Sequence, residues 1–363
     1  MLYFEEACDM RIAQIAPLYE AVPPRLYGGT ERVVAHLTEA LVEQGHEVTL
    51  FASGDTVTSA KLVATRALPL RLDSAPLKSD LASHLTLLHE VRRRAHEFDV
   101  LHFHIDLLHF GMFEHMPERT LTTLHGRLDI ADLLQVYERW PDYRLVSISD
   151  HQRTHLPNAN WYATVYHGMS PRGYQYSAQG SGGYLAFLGR ISPEKRPDRA
   201  IEIAKAAGVP IRIAAKVDEV DRAYFEQRIR PLLDHPLVTY IGEIGDELKS
   251  DFLGQARALL FPIDWPEPFG LVMIEAMACG TPVIAWRCGS VPEIVEPGIT
   301  GWIVDDIRQA VAAVDAVRHL PRARIRATFE QRFTAHAMAT RYSQLYWQLV
   351  RASRSGHLEG EAA

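Results

Sequence analysis

The chain has 363 residues, 47% of them hydrophobic, and a net charge of −7 at pH 7. A chain of this length normally divides into two domains, here of roughly 150–180 residues each. The acidic balance excludes the basic surface that a nucleic-acid partner requires, and the sequence lacks an apolar run of about 18 residues that would span a bilayer.

Three cysteines without CxxC spacing predict neither a disulfide framework nor a metal cage, which suits a reducing compartment. The amino-terminal MLYFEEACDM has acids where an export signal needs basic residues. We therefore expect a cytoplasmic protein, with this stretch as a start-site overhang. The run Arg92-Arg93-Arg94 leaves peripheral membrane contact open, although a solvated helix face is the favoured interpretation.

Short β-rich runs alternate with amphipathic helical stretches over residues 11–168, which predicts a domain with a parallel sheet covered on both faces. Gly28-Gly29-Thr30 opens a helix that Gly45 closes, and leucines from Leu81 onward mark a second helix. The predicted strands are RIAQIA (11–16), EVTLFA (47–52), DVLHFH (99–104), RTLTTLH (119–125), YRLVSIS (143–149) and NWYATVYH (160–167).

The pattern breaks over residues 169–183, a turn-rich stretch that we predict to be a linker, and a second domain follows over residues 184–333. A last helix is predicted over residues 334–350, and residues 351–363 are predicted to be a disordered tail. The strands of the second domain are YLAFLG (184–189), PIRIAA (210–215), LVTYIG (237–242), RALLFP (257–262), TPVIAW (281–286) and TGWIV (300–304).

The predicted fold class is therefore α/β, with two doubly wound, Rossmann-like parallel-sheet domains in tandem. Open sheets of this kind bind ligands at the carboxyl ends of their strands. We expect the chemistry in strand-to-helix loops that face a cleft between the domains.

The stretch VLHFHIDLLHF (100–110) places His102, His104, Asp106 and His109 within eight positions, a spacing similar to a binuclear zinc signature. Leu107 stands where the last metal ligand should be, so a metal cluster is the least favoured interpretation. His104 lies at the carboxyl end of a predicted strand and is favoured as a polar, substrate-facing group, with simple packing as the alternative. His102 is one pleat deeper, as expected for a hydrogen-bonded core histidine.

The stretch PIDWPEPFGLVMIEAMACGTPVIA (262–285) puts Glu267 in a proline-rich loop and Glu275 inside the following helix. A glutamate surrounded by apolar residues is costly unless it has a partner, so Glu275 is expected to be paired. Free backbone N–H groups from Gly270 to Val272 would make the helix start an anion or hydroxyl site.

The stretch GRISPEK (189–195) supplies Arg190 and Lys195 in a turn after a strand, a pairing suited to a diphosphate. The loop Tyr27-Gly28-Gly29-Thr30 would let the backbone approach a phosphate at a helix start. The dinucleotide, P-loop, nucleophile-elbow and HExxH motifs are missing from the sequence.

At these residues the chain resembles the retaining glycosyltransferases of family 4, whose two-domain fold is called GT-B. The motif on which this resemblance mainly rests is Glu267-x7-Glu275, followed by GSVPEIVEPGITGWIV (289–304). The likeness also covers YGGTERVVAHLTEALVEQGHEVTLFAS (27–53), DVLHFH, TLHG (123–126), SISD (147–150), YHG (166–168) and GRISPEK, in family-like order from about residue 11 to 350.

The resemblance implies transfer of a sugar from a nucleotide diphospho-sugar, most commonly a UDP-hexose, to an unidentified glycan, lipid or small-molecule acceptor. It implies retention of the anomeric configuration, no cofactor and no metal. It also implies that the last helix returns to the first domain.

Carried over residue by residue, Arg190 and Lys195 would hold the diphosphate, Glu275 the ribose, and Glu267 hydroxyls of the donor sugar. His104 completes the expected catalytic set. The remaining residues expected at the donor are Gly28, Gly29, His125, Gly242, Phe269, Gly270, Leu271 and Val272.

The chain departs from the family pattern at two positions. Arg196 stands where many members have glycine, so the loop either bends differently or gains a charge. Cys288-Gly289-Ser290 replaces a common Gly-Gly, and the remaining glycine keeps the turn feasible. Two other functions stay open at this stage: a sugar-nucleotide epimerase or phosphorylase of the same fold, and a non-catalytic nucleotide-sugar-binding protein.

Overall fold

The computed structural model of the protein describes residues 9–25 and 28–360, with side chains to residue 353. The chain divides into two compact units. The first contains the chain up to Ile148, Arg153–Met169 and the segment from Ala335 onward, and the second contains Ser149–Gln152 and Ser170–Thr334.

Each unit is built on one parallel sheet. The first unit holds β1 (Arg11–Ile15), β2 (Glu47–Ala52), β3 (Lys61–Ala64), β4 (Val100–Phe103), β5 (Thr120–Thr123), β6 (Leu145–Ser147) and β7 (Trp161–Thr164). The second unit holds β8 (Leu185–Arg190), β9 (Ile211–Lys216), β10 (Val238–Gly242), β11 (Ala258–Phe261), β12 (Val283–Trp286) and β13 (Gly301–Val304).

Helices connect the strands. In chain order they are α1 (Gly29–Glu43), α2 (Asp80–Arg94), α3 (Ala131–Arg139), α4 (Asp150–Arg153), α5 (Pro197–Ala207), α6 (Arg222–Tyr224), α7 (Asp246–Gly254), α8 (Leu271–Ala278), α9 (Val291–Ile294), α10 (Ile307–Ala316), α11 (Arg322–Arg332) and α12 (Ala335–Gly360).

The strand orders of the two sheets follow the same rule. The first sheet runs β3-β2-β1-β4-β5-β6-β7 and the second β10-β9-β8-β11-β12-β13, so each is wound outward in both directions from its first strand. All strand pairs within these sheets are parallel. This is the doubly wound arrangement that the alternating pattern predicts, and it places the ligand-binding edge of each sheet at the carboxyl ends of its strands.

Two features of the first unit differ from the sequence-based expectation. Strand β3 was not predicted, because KLVA is a short edge strand of half-buried and exposed residues without an apolar alternation. Helix α2 forms where expected, but Leu81 and Leu85 are exposed, and the buried face consists of His84, Leu87, Leu88 and Val91.

The last helix, α12, belongs to the first unit. Its buried residues include Met338, Tyr342, Tyr346 and Leu349, which are among the apolar residues that mark it in the sequence. The helix continues to Gly360, although residues 351–363 were predicted to be disordered. None of the helices in the described part of the chain is long and apolar enough to cross a lipid bilayer.

Candidate functional site

In the second unit, the start of α8 is set by a glycine in the left-handed region. Gly270 has φ +81° and ψ 69°, which an L side chain adopts only at a cost. The turn directs the chain from the proline-rich loop into the helix and leaves the N–H groups of Leu271 and Val272 in its first turn. The helix therefore starts where the sequence predicted, with Leu271 as its first residue.

Glu267 lies in the loop before α8 and is only 8% exposed. Its carboxylate forms an ion pair with Lys195 Nζ and accepts a hydrogen bond from Trp265 Nε1 at 3.1 Å. The Lys195 ammonium also lies 4.8 Å from the centre of the Trp265 ring. Two residues 72 positions apart in the chain are thereby brought together, as the expected donor site requires.

The turn at Gly289 supports the backbone of Glu267. Gly289 has φ +56°, and a Cβ atom there would collide with the backbone N and O of Glu267. Ser290 donates its N–H to the carbonyl of Glu267 at 3.0 Å and its hydroxyl to the carbonyl of Phe269 at 2.8 Å. The glycine that remains from the family's Gly-Gly is therefore required by close backbone approach.

Arg190 ends β8 among acidic side chains. Its guanidinium lies 3.4 Å from Asp218 and 3.9 Å from both Asp221 and Glu194. A diphosphate bound by Arg190 would compete with these carboxylates for the same cation.

Glu275 faces inward from α8 and is 4% exposed. Lys249 on α7 donates to its carboxylate at 3.1 Å, and the Tyr174 hydroxyl donates at 3.0 Å. The buried Glu275 carboxylate was expected to have a partner, and that partner is a lysine 26 positions away in the chain. Lys249 and Tyr174 were missed by sequence reasoning, because a single lysine on a helix and a tyrosine in a predicted linker carry no distinguishing pattern.

Arg196 adopts a backbone conformation that favours glycine. Its φ of 53° and ψ of 52° lie in the left-handed region, and it directly precedes α5. The guanidinium binds Asp198 at 2.9 Å and Asp264 at 2.9 Å. The loop therefore has a left-handed bend at this residue and carries an additional charge. Gly242, at the end of β10, has φ +78° with open space around it.

In the first unit, α1 begins at Gly29 immediately after Gly28. A Cβ atom on Gly28 would lie 2.8 Å from the Pro24 side chain, so this position needs glycine because of close packing. Tyr27, the first residue of the predicted phosphate loop, lies outside the described residues.

His102, His104 and His125 of the first unit belong to a polar hydrogen-bond network. Parallel registers align Gln14 with His102 and His102 with Leu121, so Gln14, His102, His104 and Thr123 project from one face of the sheet. His102 is fully buried and bonds to the Tyr346 hydroxyl at 2.7 Å and to the Thr123 hydroxyl at 2.8 Å. The prediction of a hydrogen-bonded core histidine is confirmed for His102.

Both ring nitrogens of His104 are engaged by protein groups. Nε2 lies 2.7 Å from Gln14 Oε1, and Nδ1 lies 2.8 Å from His125 Nε2. The buried Nδ1 of His125 has no hydrogen-bond partner among the described residues. Its ring stacks on that of His167 with 5.1 Å between ring centres. Within the His104–His125 pair, the ring nitrogen without a partner in the described part of the protein is therefore Nδ1 of His125.

Burial keeps these rings neutral. It lowers the pKa of His102, His104 and His167 well below the ordinary histidine value, and that of His125 to about 3. A neutral imidazole offers one donor and one acceptor.

The zinc-like spacing brings His102 and His104 into ring contact, with 4.0 Å between ring centres, but His109 and Asp106 lie in other surroundings. His109 stacks on Phe103 at 3.8 Å and bonds to the Thr122 hydroxyl at 3.0 Å, while Asp106 is exposed with φ 51°. Within residues 9–25 and 28–360, no group of three or more histidine, cysteine or acidic side chains is arranged to hold a metal ion.

Comparison with known protein families shows which family this chain belongs to. The family described as "Glycosyltransferase Family 4" matches residues 27–156, and the family "Glycosyl transferases group 1" matches residues 175–332. The chain belongs to the family 4 glycosyltransferases.

Solved structures share the fold of this family 4 chain. Sucrose-phosphate synthase from Thermosynechococcus elongatus is 20% identical, with a TM-score of 0.78 over 94% of this chain and 100% of that one. AviGT4, a glycosyltransferase involved in avilamycin A biosynthesis, is 24% identical, with a TM-score of 0.71 over 94% and 98%. Anabaena HepE, solved in complex with UDP and glucose, is 17% identical, with a TM-score of 0.72 over 93% and 100%. The predicted GT-B fold is confirmed.

A curated relative of this family 4 chain is the D-inositol 3-phosphate glycosyltransferase of Mycobacterium tuberculosis strain H37Rv. The two are 32% identical over 174 residues, covering 44% of this chain. The match spans 36% of the relative's length.

Proposed function

We propose that this family 4 chain transfers a glycosyl group from a nucleotide diphospho-sugar to an acceptor hydroxyl. The observation that carries the proposal is the Lys195–Glu267 ion pair beside the Gly270 helix start, with Glu275 buried one helix turn further on. These are the residues that the family resemblance assigns to the diphosphate, the donor sugar and the ribose.

The chemistry fits this arrangement. As the glycosidic bond breaks, the leaving diphosphate gains negative charge, which nearby cations and helix N–H groups stabilise. Lys195 and Arg190 supply fixed positive charge, so the proposed reaction needs no divalent ion. Glu267 and the first N–H groups of α8 would bind hydroxyls of the sugar.

A UDP-hexose is the proposed donor, supported by the family's commonest case and by the HepE complexes with UDP-glucose and with UDP and glucose. The acceptor is proposed to be a small hydroxyl compound or glycan, supported by the inositol phosphate named for the mycobacterial relative. Retention of the anomeric configuration is proposed from the family resemblance.

The test begins with a thermal-shift screen of nucleotide sugars, since a bound donor stabilises the folded state by mass action. The donor found there is then incubated with candidate acceptors while release of nucleoside diphosphate is measured. A transferase releases it only when an acceptor is present, whereas an epimerase converts the donor alone. The product's anomeric coupling by NMR reports retention, and EDTA should leave the rate unchanged. A rate lost with EDTA and restored by zinc would contradict metal independence.

Lys195→Ala should lower kcat about 100- to 1,000-fold, the loss typical of removing one electrostatic contact to a transition state. Lys205→Ala is the matched control, because Lys205 is an exposed lysine on α5 of the same unit. Because Lys195→Ala also leaves Glu267 without its cation, rates are normalised to the folded fraction measured by circular dichroism. Equal rates for the two variants would contradict the assigned role.

A further inference from the structure

A chain of hydrogen bonds links the last helix to the histidine with the available nitrogen. Gln14 Nε2 donates to the Tyr346 hydroxyl at 3.0 Å, and Gln14 Oε1 lies 2.7 Å from His104 Nε2. His104 Nδ1 lies 2.8 Å from His125 Nε2. We call Tyr346, Gln14, His104 and His125 the histidine relay. All four lie in the first unit, and Gln14 and Tyr346 are fully buried.

The position of each proton along the histidine relay follows from which atoms can only donate and which can only accept a hydrogen bond. The nitrogen of an amide only donates and its oxygen only accepts, so Gln14 Oε1 must accept from His104 Nε2–H. Because His104 is neutral, its Nδ1 carries a lone pair and accepts from His125 Nε2–H. His125 is neutral as well, which leaves a lone pair on its Nδ1.

The hydrogen bonds around Tyr346 are consistent with these proton positions. Because the Tyr346 oxygen accepts from Gln14, its own proton is free to donate to His102 Nδ1 at 2.7 Å. His102 Nε2–H can then donate to the Thr123 hydroxyl at 2.8 Å. Turning over the Gln14 amide would reverse these bonds and place a proton on His125 Nδ1.

A buried acceptor without a donor is unfavourable, so a ligand hydroxyl that donates to it gains a bond that the protein alone leaves unmade. We propose that Gln14 and Tyr346 are positioning residues that hold His125 in the Nε2–H tautomer, so that its Nδ1 accepts a hydrogen bond from a substrate hydroxyl. The identity of that hydroxyl as part of a sugar donor or acceptor rests on the proposed glycosyl transfer.

The tautomers are measured directly in the unliganded protein by long-range ¹H–¹⁵N correlation of ¹⁵N-labelled histidines, with His125 assigned from a His125→Gln variant. The expected result is one tautomer for His104 and His125, protonated at Nε2. A proton on His125 Nδ1 would overturn the proposal.

The variant test uses two tyrosines of the same helix. Tyr346→Phe removes the hydroxyl that fixes the Gln14 amide, so we expect both tautomers of His125 in the spectrum. Since only molecules with the accepting tautomer are competent, kcat/KM should fall about two- to tenfold. Tyr342→Phe is the control, because it removes a comparable hydroxyl, bonded to Thr123 at 2.8 Å, and leaves the relay intact. It should keep one tautomer and change kcat/KM less than about twofold.

An unchanged His125 spectrum in Tyr346→Phe, or mixed tautomers in both variants, would overturn the positioning role. The expected tautomers together with no stabilisation by any nucleotide sugar would support the positioning role and contradict the proposed donor. The two proposals therefore fail separately.

Discussion

Arg196 shows how a single residue can adopt a conformation suited to glycine. Its backbone lies in the left-handed region, at a cost of about 1–2 kcal/mol for a residue with a Cβ atom. The ion pairs with Asp198 and Asp264 are available to offset that cost. Strain and ion pairing therefore act in opposite directions at the same position, and substitutions can separate them.

Arg196→Gly and Arg196→Ala both remove the two ion pairs, but only the alanine variant keeps the backbone strain. We expect the glycine variant to be more stable by about 1 kcal/mol in free energy of unfolding. Urea denaturation of the two variants under identical conditions measures the difference. Equal stabilities would mean that the backbone at this position is not strained.

At the scale of elements, the turn before α9 determines the position of the loop before α8. Gly289 packs directly against the backbone of Glu267, and Ser290 bonds to the carbonyls of Glu267 and Phe269. The position of the Glu267 carboxylate therefore depends on a turn more than twenty residues later in the chain.

Gly289→Ala should displace Glu267 and lower kcat/KM for the donor about 10- to 100-fold, because small misplacements of binding groups are costly. Gly298→Ala is the matched control, since Gly298 also has a positive φ, +76°, but open space around it. Both variants carry the same kind of backbone strain, so their difference reports the displacement. Similar losses of kcat/KM in the two variants would show that strain, and not collision with Glu267, is responsible.

At the scale of the whole molecule, the histidines with lowered pKa are unevenly distributed. Among the side chains that the structure describes, burial lowers the pKa of seven histidines, and all of them belong to the first unit: His46, His84, His102, His104, His109, His125 and His167. In the unfolded chain each would titrate near 6.5. The stability of the first unit is therefore coupled to protonation.

As pH falls below 6.5, the unfolded state binds protons that the native state excludes, so the free energy of unfolding decreases. The loss is about 1.4 kcal/mol per pH unit for each strongly affected histidine, down to its native pKa, which for His125 is about 3. Hydrogen exchange at pH 7 and pH 5.5, corrected for intrinsic rates, should show lost protection in β4 and β5. Protection in β8 and β11 of the second unit should change less, and equal losses in both sheets would contradict the prediction.

The sequence by itself determined most of the strands and their arrangement in two parallel sheets, and the family resemblance implied the residues expected at the donor. Alternating apolar runs, glycines at helix ends and the Glu267-x7-Glu275 spacing are local features, and local features are read directly from neighbouring residues. Strand β3 and the buried face of α2 were not predicted from the sequence, because the burial of their residues depends on the neighbouring elements that pack against them.

Only the tertiary structure decided which side chains are partners. Glu275 with Lys249, Gly289 with Glu267, and Gln14 with Tyr346, 332 positions away, depend on strand register and on how helices pack within each unit. The sequence showed that a buried glutamate and several buried histidines need partners, since unpaired polar groups are costly in a core. It could not name those partners, because residues distant in the chain meet only after the sheet has aligned them.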